Sequence, residues 1–327
     1  MLPSTFDPIA DAHEIHRSIA NKEGVDGASH IIIPRTIAQR SQIKATYEQL
    51  FSSDLIQDLK VKENDMETLL QIMFNGPINH AAKEMCKKLN KEEVDDVMCT
   101  LNHDEMNDLK KAYDAFHSRS DKKAKRLEEA LTDYSKGAHQ RFLTMLLRCE
   151  RDDLKTSEIY DYYKANGSIE GLVNNDLIVS DYFAIIKATE GKKTNEDAIV
   201  DIIGKRNNLH LKCLYQTFKA NQSLSLVEYI SKHVKAPLKN SLNTTIMNAV
   251  DERLLNTSQM YHSMKGLGTK ESQLGRVIAT RAEIDLELLK VIYEERIGKN
   301  LAETVASETS GDFKNYLIGL LNVPVRK

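Results

Sequence analysis

The sequence predicts an all-α protein built from four related repeats of five short helices. Three observations carry the prediction. Glycine and proline number only 14 and 6 among 327 residues, and tryptophan is absent, a composition that favours helices. One helical phrase recurs four times, as IKATYEQLF at 43–51, LKKAYDAF at 109–116, LKCLYQTF at 211–218 and LLKVIYEER at 288–296. No stretch alternates apolar and polar residues between turn signals as a half-buried strand does.

Each phrase places apolar residues three and four apart, the pattern of one buried helical face. Taking Tyr47, Tyr113, Tyr215 and Tyr293 as markers, the separations are 66, 102 and 78 residues, so the wide middle interval implies a linker. That linker begins with the charged run ERDDLK, contains an NGS turn and ends where DYFAIIKA resumes the helical pattern. An apolar helix closes each repeat: METLLQIMF, RFLTMLLR, LNTTIMNAV and FKNYLIGLL. The expected organisation is a tail at 1–12, repeats at 13–75, 84–148, 182–250 and 255–322, and a linker at 149–181. In the fourth repeat the first helix runs near 255–263 and Thr269 caps the second. The third begins near Glu283, the fourth covers about 301–306, and Thr309 or Ser310 caps a fifth from Gly311.

Charged residues make up 28% of the chain, yet the net charge is only -3, so no global field draws it to nucleic acid or anionic lipid. Contact with an anionic surface must be local. Cys86, Cys99, Cys149 and Cys213 are widely spaced with no CxxC pair, which suggests neither a zinc site nor a disulfide framework. The start, MLPSTFDPIADAHEIH, has no basic flank followed by an apolar run, and no apolar stretch nears membrane-spanning length. A soluble, intracellular protein is expected, so the sequon at Asn243 would go unread.

The stretch MKGLGTKES at 264–272 sets two glycines one residue apart. It lacks the lysine that follows the second glycine of a phosphate-binding loop and the third glycine of a dinucleotide fingerprint. Gly266 and Gly268 permit backbone conformations costly to other residues, which lets a loop aim carbonyls at one point. Calcium takes six to eight oxygens, usually including a bidentate carboxylate. Glu308, 39 residues beyond Thr269, stands at a helix junction that a bundle can bring to the same end. Taken alone, the glycines could equally cap a helix while Glu308 favours the positive end of the next.

MKGLGT at 264–269, TRAEIDL at 280–286 and ETSGDF at 308–313 together resemble the fourth repeat of an annexin. Four repeats with a longer second connection are similar to that family over almost the whole chain. The resemblance implies a curved helical disc whose loops hold calcium and thereby bind phospholipid reversibly. Carried over residue by residue, it places the carbonyls of Met264, Gly266 and Gly268 and both carboxylate oxygens of Glu308 around the ion. Leu267 at the loop tip would enter the membrane interface, with Lys265 near anionic headgroups.

The other repeats depart from this pattern. The first has IANKEGVDGAS, with Gly24 and Gly27 two residues apart, and Lys62 or Glu63 at the acidic position. The second lacks loop glycines, leaving Asp133 as an orphan of the acidic position. The third reads TEGKKT, where Gly191 matches the first glycine, Lys193 replaces the second, and His233 falls 39 residues beyond Thr194. Lys192 and Lys193, with His233 and Lys235, could touch lipid phosphate without calcium, or form a plain solvated edge. One good site in place of four predicts weaker membrane binding, a higher calcium requirement, or help from another surface.

His30, His80, His103, His139 and His210 share no partner spacing, and no GxSxG, HExxH or EF-hand loop occurs. No enzyme is expected. The basic run RSDKKAKRLEE at 119–129 carries no aromatics for base stacking and reads as a solvated helix start. Arg281 and Asp285 are expected to pair on one helix. The sequence therefore predicts a cytoplasmic annexin, monomeric in solution, that becomes peripheral to anionic membrane when calcium rises. The alternative is a largely calcium-independent scaffold of annexin shape with a cytoskeletal partner, as in the giardins. An enzyme or pore rests on family analogy alone.

Overall fold

The computed structural model describes residues 6–61, 64–90, 92–119 and 125–323, and every regular element among them is helical. The first repeat holds α1 (Pro8–Ala20), α2 (Gly24–Ile32), α3 (Ile37–Phe51), α4 (Leu55–Asp58) and α5 (Asn64–Asn75). The second holds α6 (Pro77–Lys87), a π-helical turn at Glu92–Met98, α7 (His103–Arg119), α8 (Leu127–Tyr134) and α9 (Gly137–Leu147). After α10 (Thr156–Asn166), the third follows with α11 (Asn175–Thr189), α12 (Glu196–Ile203), α13 (Asn208–Asn221) and α14 (Leu226–His233). The long α15 (Leu238–Met264) bends at Asp251, whose φ of -164° is not helical, so it ends the third repeat and begins the fourth. The fourth continues with α16 (Glu271–Arg281), α17 (Leu286–Ile297), α18 (Leu301–Glu308) and α19 (Gly311–Asn322).

The ends of these helices follow local chemistry. Asp7 accepts from the amides of Ile9 and Ala10, and Pro8 sits where its missing N–H costs nothing. Thr36 with Gln39, and Ser225 with Glu228, form reciprocal capping boxes. Gly298 ends α17 in the left-handed conformation.

The chain divides into two compact units, residues 1–80 with 256–327, and residues 81–255. The first joins repeats one and four around a core that includes Ile15, Ile43, Tyr47, Leu69, Leu274, Tyr293 and Phe313. Glycines permit its closest approaches: a Cβ on Gly275 would stand 3.1 Å from Phe313, and one on Gly319 2.6 Å from Ile33. Arg40 is only 2% exposed, and its guanidinium donates to the carbonyls of Ile32, Ile33 and Met73. Arg35 and Asp11 form a buried two-pronged pair at 2.7 and 2.8 Å.

The second unit repeats this device. Arg206 grips Asp181 at 2.6 and 3.0 Å, with His210 Nε2 2.8 Å away. Its interior also holds a polar chain in which Ser241 Oγ donates to Asp95 and lies 3.0 Å from His139 Nε2. Burial lowers the pKa of His139, so that ring favours the neutral form.

Several expectations need correction here. Three marker tyrosines, Tyr47, Tyr113 and Tyr293, are buried, but Tyr215 is only half-buried, and Phe218 fills the equivalent core position. The expected linker contains α10, and α11 begins at Asn175, ahead of residue 182. Arg281 and Asp285 do pair, at 2.7 Å, but across the junction between α16 and α17. Residues 120–124 of the basic run lie outside the described residues.

Candidate calcium loop

The candidate loop joins α15 to α16. Gly266 and Gly268 have φ values of +115° and +85°, a region closed to most residues. A Cβ at either would meet nothing within 4 Å, so glycine is required by backbone conformation and not by crowding. Two hydrogen bonds fix the loop. The Lys270 amide donates to the Ser263 carbonyl at 2.8 Å, closing it over seven residues. Thr269 Oγ1 donates to the Glu308 carbonyl at 2.9 Å, tying the loop to the last residue of α18. Thr269 does not cap α16, as expected from the sequence; the cap residue is Lys270, and it makes no side-chain cap bond.

That bond unites the two distant segments singled out in the sequence. Met264 is buried at the helix end, Leu267 is fully exposed at the tip, and Glu308 is exposed beside the loop. Lys265 Nζ lies 5.1 Å from the centre of the Tyr261 ring, a cation–π contact that keeps the ammonium close to the loop. Among the described residues no three His, Cys, Asp or Glu side chains converge as a metal cluster. A site made of backbone carbonyls and one carboxylate presents no such cluster, and an all-oxygen set suits calcium.

The third repeat keeps this frame and changes its chemistry. Thr194 Oγ1 donates to the His233 carbonyl at 3.0 Å, also across 39 residues, and the Asn195 amide closes onto Ala188 at 2.7 Å. Gly191, however, is not among the residues with positive φ, so it does not act as the counterpart of Gly266. Lys193 stands in the place of Gly268 and His233 in that of Glu308. No carboxylate completes an oxygen cage there.

The first loop is shorter, because the Glu23 amide closes onto Ser18, five residues back, at 2.9 Å. Gly27 lies inside α2, where a Cβ would stand 2.4 Å from the Cβ of Glu23. The left-handed residues flanking this turn are Lys22 and Gly24, a pattern that glycine spacing did not reveal. Lys62 and Glu63 lie outside the described residues. In the second repeat Asp133, expected as the remnant of the acidic position, pairs with Lys125. Counting from Ser135, which bonds back to Leu131 as Thr309 does to Val305, Tyr134 and not Asp133 occupies the position of Glu308.

The sequence pattern of the Annexin family matches residues 184–244 and 257–320. Annexin A13 of Mus musculus is 28% identical over 327 residues, covering 97% of this chain and 96% of the relative. The structure is similar to calcium-bound annexin (Sm)1, with a TM-score of 0.79 and 27% identity over 98% of this chain and 92% of that one. It also resembles an annexin A8 structure, with a TM-score of 0.83 and 24% identity over 98% and 96% of the two chains. Along almost its whole length the chain is similar to annexins, and its helical repeats share their fold. Annexins are in general calcium-dependent, phospholipid-binding proteins without enzymatic activity that associate peripherally with membranes. No described helix of this chain is long and apolar enough to cross a membrane.

Proposed function

We propose that this protein attaches reversibly to anionic phospholipid membranes under calcium control, through the loop between α15 and α16. The observation that carries this reading is the Thr269 bond to the Glu308 carbonyl beside two left-handed glycines. It ties the α18 terminus, where Glu308 stands, to the loop, and the two glycines give that loop the backbone freedom such a site needs. The carbonyls of Met264, Gly266 and Gly268 and the carboxylate of Glu308 would hold calcium. The bound ion would supply positive charge for a lipid phosphate oxygen. Leu267 would bury apolar surface at the interface, and Lys265 would add attraction to the headgroups.

No catalytic role is proposed, and the chain is taken to act as a cytoplasmic monomer that becomes peripheral to membrane. The reading is tested by co-sedimentation with phosphatidylserine vesicles across a calcium titration, comparing the wild type with Glu308→Gln. Calcium-dependent binding that the substitution weakens by about 100-fold in calcium requirement supports it. Equal wild-type binding in chelator would favour the second reading, a largely calcium-independent cytoskeletal or membrane scaffold, for which the altered loops of repeats one to three speak.

A further inference from the structure

The third-repeat loop retains the hydrogen-bonded frame of the fourth after losing the features suited to calcium. A constant offset of 75 residues relates Thr194 to Thr269 and His233 to Glu308, and the same pair of bonds recurs, one from the threonine hydroxyl and one between backbone groups. A frame of this kind holds two segments together whether or not an ion is present. What it holds in the third repeat is cationic: Lys192 and Lys193 from the loop, and Lys232, His233 and Lys235 from the end of α14. The four lysines are exposed, and no ion pair among the described residues occupies them. The nearby carboxylates, Glu190 and Glu196, leave a local excess of positive charge, and Asp197 is held by Arg141. His233 is fixed by its ring contact with Tyr229, whose hydroxyl in turn lies 2.7 Å from Thr189 Oγ1.

We infer that this junction is a metal-free phosphate-binding site. Exposed lysines occupy the loop that corresponds to the candidate calcium loop of the fourth repeat, so the anionic ligand a bound ion would attract is attracted by the protein's own charge. The ligand class is a phosphate monoester or diester, from a lipid headgroup or from a soluble phosphate. The inference rests on the membrane reading above only for the lipid source.

The test is vesicle co-sedimentation in chelator at low ionic strength, with phosphatidylserine vesicles and phosphatidylcholine controls, for wild type, K192Q/K193Q and E308Q. A parallel titration follows the wild type and K192Q/K193Q with inositol hexakisphosphate by calorimetry. Each lysine near an anionic surface contributes about fivefold in partition, so the double variant is expected to lose about 25-fold. E308Q, which removes a negative charge, is not expected to lose binding in chelator, which separates this site from the calcium loop. Loss of both vesicle and soluble-phosphate binding in K192Q/K193Q supports the general site, and loss of vesicle binding alone supports the lipid source. Loss of soluble-phosphate binding alone supports a phosphate site while overturning its use on membranes. Wild-type behaviour of K192Q/K193Q in both arms, or binding of neither probe by the wild type in chelator, overturns the inference. Circular dichroism of the double variant guards against unfolding as the cause, and K192R/K193R should restore binding.

Discussion

The loops of the third and fourth repeats share one hydrogen-bonded frame and differ in the few atoms that choose a ligand. In each, a threonine hydroxyl reaches the carbonyl 39 residues downstream, and a backbone amide closes the loop over seven residues. The fourth repeat adds two left-handed glycines and a carboxylate; the third adds lysines and a histidine. The charged pairs of the two repeats are rearranged as well. Arg206 is neutralised by Asp181 on α11, whereas its counterpart Arg281 is neutralised by Asp285 at the start of α17. The frame and the ligand chemistry therefore vary independently, and a conserved helical architecture does not by itself imply a conserved site.

The comparison is broken most severely by exchanging ligand chemistry. Gly268→Lys, which installs the third repeat's residue in the fourth, should raise the calcium needed for half-maximal vesicle binding by about 100-fold. It adds backbone strain and places an ammonium against the site. The measurement is a calcium titration of sedimentation, and an unchanged midpoint would show that neither backbone freedom nor local charge governs the loop. Gly268→Ala isolates strain from charge, at about 1–2 kcal/mol, or roughly tenfold in the same midpoint.

The frame itself is sharpened by a matched pair, Thr269→Val and Thr194→Val. Each removes one hydroxyl bond, costing about 1 kcal/mol in chemical denaturation, but only Thr269→Val should shift the calcium midpoint. Equal shifts from both would place the calcium response elsewhere.

Acid sensitivity distinguishes the two supporting charge arrangements. Burial acts to raise the pKa of Asp181, but hydrogen bonds from His210 and Arg206 and their charges outweigh it, and the net shift is below the ordinary 3.8. A carboxyl whose folded pKa is lowered stabilises the fold above its unfolded value and loses that contribution as pH falls through the folded one. Melting temperature should therefore decline below about pH 4 in the wild type. Asp181→Asn should begin less stable at neutral pH and decline less steeply over the same range. The smallest effect is expected at the loop tip, where Leu267→Ala should weaken calcium-dependent vesicle binding a few-fold without changing melting temperature.

Much of this was legible in the sequence because it depends on local chemistry. The scarcity of glycine and proline and the fourfold phrase imply helices in repeats, and the annexin resemblance, with its 39-residue interval, points from Thr269 to Glu308. The same interval led from Thr194 to His233. What escaped the sequence was register inside irregular segments. Tyr215 seemed the natural partner of the other tyrosines, yet core packing selected Phe218. Gly24 and Gly27 looked like a spread-out glycine pair, but a shorter closure onto Ser18 drew Gly27 into α2 and left Lys22 in a left-handed turn. Asp133 was nearest in chemistry to the acidic position, whereas helix register gives that position to Tyr134. Side-chain identity suggested a cap at Thr269, and the free carbonyl at the end of α18 competed successfully for its hydroxyl. In each case the deciding factor is a hydrogen bond or packing contact, local at Glu23 and Ser135 and between distant segments at Thr269, that periodicity does not contain.

The most direct test of the central claim is a count of calcium bound per chain on phosphatidylserine vesicles, measured by equilibrium dialysis for wild type and Glu308→Gln. The account predicts one tightly held ion in the wild type and none in the variant. Two or more tightly held ions in the wild type, or one retained after the substitution, would contradict the assignment of calcium control to the α15–α16 loop.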